Sequence, residues 1–136
     1  MSTNGKVKVI PCSGMGKVYG LMAREAALHT ASCLCPGQAE TMCLAYIVTG
    51  DAAAEAGIAN QPCITVDGCP AMCSAKSVGA KGGDIKAEFK VLDIMKLHKG
   101  AKPGTATELT ADGWSIVDEI AVKLEACILD IQREGR

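Results

Sequence analysis

The sequence predicts a single layered α/β domain of the Rossmann-like or flavodoxin-like kind, with a mainly parallel sheet of about four strands flanked by helices. Three observations lead there. Short runs rich in β-branched residues alternate along the chain with segments whose apolar residues recur at helical spacing. Two strand candidates end at corners of small residues, Pro11-Cys12-Ser13-Gly14 and Asp67-Gly68-Cys69-Pro70, as strand-to-helix connections require. At 136 residues the chain is long enough to bury one real core without disulfide staples. The whole chain is read as one cysteine-rich unit.

In order, residues 6–10 form a β-branched strand candidate that ends at the first corner. A helix is expected over 17–30, with Val18, Leu21, Met22, Ala26 and Leu28 as its apolar stripe and Glu25 and His29 intruding on it. Residues 32–38 read as a Cys-Pro-Gly loop. The apolar run 42–48 is expected to be a strand at least at its start, and Asp51 then caps a short Ala-rich helix that Gly57 ends. Residues 63–66 form the third strand, which turns at Asp67-Gly68. Pro70 suits the first turn of a helix running to about 78. A fourth strand is expected over 85–94 at a sheet edge. A turn-rich stretch follows, and Asp112 caps a last helix over 112–133 whose apolar positions Ile116, Val117, Ile120, Leu124, Ile128 and Ile131 have helical spacing.

Composition narrows the function classes. A formal net charge of -1 provides no basic footprint, which argues against nucleic acid as a partner. No positively charged leader opens the chain and no apolar run reaches the length of a membrane span, so no membrane association is expected and the cytoplasm is the default. The chain holds eight cysteines, at positions 12, 33, 35, 43, 63, 69, 73 and 127. In a reducing compartment such an excess points to metal ligation or thiol chemistry rather than a disulfide framework.

The stretch from Ile64 to Cys73 concentrates this chemistry. It delivers Cys69 to the corner after a strand, and places Cys73 so that both thiols can face one another across a helix turn beginning near Pro70. Cys12 follows the first strand, and Cys43 begins the second apolar run. If the first and third strands are parallel neighbours, Cys12 and Cys69 emerge on one edge. Four thiolates converging there suit tetrahedral Zn2+ or an iron-sulfur cluster. Helix N-termini would offset the negative charge. Cys63 and Cys127 fit plain packing, since unligated cysteine is a frequent core residue. Cys33-Leu34-Cys35 is not a Cys-x-x-Cys redox pair; it reads as a loop detail, an alternative ligand pair or a resolving thiol. Glu25 and His29, one turn apart, read as residues of the helix margin, with ligand or acid-base roles as the alternative. Two other motifs fail. A phosphatase loop needs arginine six places after Cys12, where Val18 stands, and the glycines at 14, 16 and 20 miss the dinucleotide-binding spacing.

Cys12-Ser13-Gly14, the segment from Leu21 to Ala27, Met42-Cys43-Leu44-Ala45, Val66-Asp67-Gly68-Cys69 with Cys73, and Leu92-Asp93-Ile94-Met95-Lys96 together resemble the DGC-domain family, named for its central Asp-Gly-Cys. The resemblance covers roughly residues 6 to 98, with order and context in agreement. That family is described as zinc-binding from four cysteines with chelating potential. The resemblance implies Cys12, Cys43, Cys69 and Cys73 as the metal ligands, the same set that the strand-end argument selects. Cys33 and Cys35 fall outside the family pattern.

Three functions follow as expectations. In the first, Cys12, Cys43, Cys69 and Cys73 hold Zn2+, with Asp67 in the turn or behind the ligands. In the second, the same cysteines serve a thiol redox or sulfur-transfer enzyme, with Cys33 or Cys35 resolving, or carry an iron-sulfur cluster. In the third, the metal closes the fold and the protein acts through a partner surface, a homodimer included.

Overall fold

The computed structural model describes residues 6–12, 18–68, 72–105 and 107–134. Among these described residues are four parallel strands, β1 (Val7–Cys12), β2 (Ala39–Thr41), β3 (Pro62–Asp67) and β4 (Asp84–Lys90), in the order β2-β1-β3-β4. Six α-helices accompany them: α1 (Val18–His29), α2 (Leu44–Val48), α3 (Ala52–Ile58), α4 (Cys73–Ala80), α5 (Val91–Met95) and α6 (Ala111–Glu134). The expected α/β class is therefore borne out. Among the described residues no helix is long and apolar enough to cross a membrane.

The pleat explains the two-sided core. Val7 and Val9 of β1, with Ile64 and Val66 of β3, point to one face and pack against α1, α5 and α6. Ile10 and Cys63 point to the other and pack against Ile47, Ala54, Ile58 and Val78 of α2, α3 and α4. Side chains alternate between faces with period two, so a strand buried on both sides reads as a continuous apolar run. The chain moves one way along the sheet from β1 to β2 and the other way from β2 to β3 and β4. Right-handed crossovers then require α1 on one face and α2 to α4 on the other, as observed.

Several elements differ from the sequence expectation. The run 42–48 is not a strand: β2 lies just before it, and Leu44–Val48 is α2. Ile47 is fully buried while Tyr46 and Val48 are more than half exposed, a helical division that a short apolar run does not reveal by itself. The helix after β3 starts later than expected. Met72 adopts a left-handed backbone (φ 56°, ψ 50°) and α4 begins at Cys73 rather than near Pro70. Cys69, Pro70 and the corner at 13–16 lie outside the described residues. The expected fourth strand stops at Lys90, and α5 takes over the Leu92-Asp93-Ile94-Met95 motif. The cap of α6 is Thr110, whose Oγ1 accepts the Gly113 N-H at 3.1 Å, and Asp112 sits in the first turn. After α1 the expected loop begins as a π-helical turn over Thr30–Leu34. Asp51 does cap α3, accepting the Ala54 N-H at 2.9 Å.

Candidate metal centre

The strands end together at the carboxyl edge. Cys12, Asp67 and Lys90 are in register as the last residues of β1, β3 and β4. Paired residues of adjacent strands share a face, so these three belong to the face covered by α2, α3 and α4, as Ile10 and Cys63 do. The chain leaves β1 toward β2 on one side and enters β3 on the other, making the β1/β3 boundary the topological switch point of the sheet. Crevices of ligand sites in open α/β sheets form there.

Three of the four expected ligands are brought to this edge by different elements. Cys12 ends β1 and is 7% exposed. Cys43 comes two residues after β2 and is the N-cap of α2, exposed. Cys73 is the first residue of α4, also exposed. α2 and α4 pack against one another, which keeps the two helix starts on the same face of the sheet. Cys69, the fourth, lies outside the described residues. Among the described residues no three His, Cys, Asp or Glu side chains form a group that could hold a metal ion, so Cys12, Cys43 and Cys73 share an edge without forming a cage by themselves. Their chemistry fits a thiophilic ion such as zinc.

The residues between the thiols hold the edge together. Asp67 is 1% exposed, and its two carboxylate oxygens accept the N-H groups of Ser74 at 2.7 Å and Ala75 at 3.2 Å. It therefore satisfies two of the donors that the start of α4 leaves unbonded. Burial pushes the Asp67 carboxyl above its ordinary range; the two N-H bonds oppose that, Glu88 adds to it, and Lys90 opposes it. The expectation that α4's N-terminus would offset thiolate charge is altered here, because the Asp67 carboxyl takes those two N-H groups. Ser74 is fully buried and its hydroxyl donates to the Ile10 carbonyl at 2.7 Å, tying α4 to β1. Gly68 is required for a different reason. A Cβ there would lie 2.6 Å from the Gly20 backbone and 2.7 Å from the Tyr19 carbonyl carbon, so the start of α1 can approach the end of β3 only over a glycine.

The remaining cysteines sit elsewhere. Cys63 is fully buried on β3, and burial, the largest cause, pushes its thiol up to about 11. Cys127 packs half-buried beside the α6 core, and burial raises its thiol too. These two behave as the packing residues expected. Cys35 is fully buried and its thiol is also raised, by burial and then by Glu125. Its carbonyl accepts from Gln38 and Ala39, and the Gln38 carbonyl accepts from Val7 at the start of β1. Cys33 and Cys35 thus lie toward the opposite edge, about 16 Å of strand from Cys12 at roughly 3.3 Å per residue. Resolving thiols for the carboxyl edge they are not. Sequence reasoning missed Ser74 and Lys90 at the edge. Lys90 falls inside the strand expected over 85–94 and becomes a strand end only because α5 begins at Val91, and Ser74 was hidden because its partner Ile10 is 64 residues away.

A family model described as the DGC domain matches residues 8–113. No curated protein and no solved structure gives a significant match.

Proposed function

The chain belongs to the DGC domain family, and from that premise we propose that it binds one zinc ion through Cys12, Cys43, Cys69 and Cys73. The observation that carries this reading is that three of those cysteines, drawn from three separate segments, stand at the carboxyl edge of the sheet. Four thiolates would fill zinc's tetrahedral shell, with a formal charge of about -2 and no open position for water. Such a centre joins β1, the start of α2 and the start of α4. Lys90 supplies a cation to the same row of strand ends, and Asp67 fixes the α4 terminus on which Cys73 stands. In a reducing cytoplasm the thiols stay available to the metal.

The experiment is elemental analysis with an absorption spectrum on protein purified anaerobically without added metal. One zinc per chain and no visible absorption are expected, with zinc lost in Cys69→Ser and retained in Cys33→Ser. Chelation should also lower the melting temperature, because a metal bound only by the folded state stabilises it. Zinc retained undiminished in Cys69→Ser would overturn the ligand set. Iron with sulfide would replace zinc by a cluster at these residues, and absence of any metal would move the reading to thiol chemistry.

A further inference from the structure

The cleft between α1 and α6 lies on the face opposite α2, α3 and α4. α1 starts at the carboxyl edge and runs back, so its last turns, which form one wall, lie away from the thiols. The cleft holds about 420 Å3 and combines Glu25, His29 and Ser32 from the α1 side with Trp114 and Asp118 from α6. A volume of this size suits a small organic ligand.

Three features of the lining point to one ligand chemistry. Trp114, the only tryptophan of the chain, is 47% exposed there, although an indole is among the most strongly apolar surfaces a protein can bury. Glu25 and Asp118 bring carboxylates from two different helices, and neither is in an ion pair among the described residues. The wall that carries Ser32 is the π-helical turn Thr30–Leu34, a rare form that recurs at functional sites. Glu25, His29 and Asp118 do not form a group that could hold a metal ion. A half-exposed indole lining the same cleft as two carboxylates instead suits a diffuse organic cation. The ring quadrupole attracts the charge, the carboxylates neutralise it, and Leu28 covers the alkyl part.

We propose that the α1/α6 cleft binds an organic ammonium group, seated on Trp114 and neutralised by Glu25 and Asp118. The test is titration of the full chain with three probes, followed by Trp114 fluorescence and, independently, by calorimetry. Choline represents a free ammonium compound, Nα-acetyl-lysine amide represents a lysine side chain, and 3,3-dimethylbutan-1-ol is the uncharged isostere of choline. Saturable binding of at least one ammonium probe is expected, and which of the two binds more tightly distinguishes a free amine from a side chain. The isostere should bind at least tenfold more weakly than choline. The double variant Glu25→Gln with Asp118→Asn should weaken ammonium binding at least tenfold while leaving the melting temperature and metal content unchanged. Binding of neither ammonium probe, equal binding of the isostere, or an unaltered affinity in the double variant would overturn the proposal.

Discussion

Replacing Gly68 by alanine adds one methyl group at the point where the end of β3 meets the start of α1. The new Cβ would stand 2.6 Å from Gly20 Cα and N and 2.7 Å from the Tyr19 carbonyl carbon, whereas carbon atoms in contact settle near ~3.5–4.0 Å. All three neighbours are backbone, so no rotamer change relieves the clash. The first turn of α1 must retreat by about 1 Å, and α1 packs on β1, β3 and α6 together. Gly68 is not in the left-handed region, so the cost is steric. Overpacking of this kind costs ~1–3 kcal/mol, and a backbone clash belongs at about 3. That is a large part of the ~5–15 kcal/mol that holds a typical domain folded, and at about 4 °C per kcal/mol it lowers the melting temperature by roughly 12 °C. Gly79→Ala is the control. It makes the same chemical change inside α4, where the Cβ would meet only Ile85 Cδ1 at 3.7 Å, and alanine should gain about 0.5–1 kcal/mol there. Urea unfolding of both variants, followed by Trp114 fluorescence, measures the difference. If Gly68→Ala lies within about 0.5 kcal/mol of the parent chain, the close approach is not what requires glycine.

Two further outcomes follow from buried groups. Thr65 is fully buried on β3 and its Oγ1 has no hydrogen-bond partner among the described residues; Thr65→Val should therefore stabilise the protein by about 1 kcal/mol in denaturant unfolding, and a loss of stability would mean that the hydroxyl has a partner. Cys63 carries a thiol raised from 9.0 to about 11, so the folded protein keeps that proton over a range in which the unfolded chain has lost it. The stability this represents is complete below about pH 9 and is lost as pH rises through about 11, about 2–3 kcal/mol in all. Comparing the parent chain with Cys63→Ala, the stability difference should shrink by that amount between those limits, and a difference independent of pH would refute the assignment.

How far the sequence reached can be judged at particular residues. Cys12 was legible as a strand-end cysteine because the β-branched run before it and the small-residue corner after it are both local signals, and Asp51 was legible as a cap because its acceptor lies three residues from the N-H it serves. Cys63 was legible as a packing residue because it stands within a strand buried on both faces. The cap of α6 was placed two residues late, since Thr110 and Asp112 are both competent acceptors and only the geometry selects between them. Glu25 and His29 were visible as one turn apart, but Trp114 and Asp118, which complete their cleft, come from a helix some ninety residues on.

By itself, then, the sequence determined the α/β class, the alternation of strands and helices, the cysteine excess and the resemblance to a family whose model matches residues 8–113, because periodicity, small-residue corners and motif order are properties of neighbouring residues. Tertiary structure decided the order β2-β1-β3-β4, the assignment of residues 44–48 to a helix, the use of Asp67 to hold the start of α4, and the need for glycine at 68. Each of those depends on which distant segment packs against the residue, and the free energy that settles it is that of burial and hydrogen bonding across the sheet rather than of any local preference.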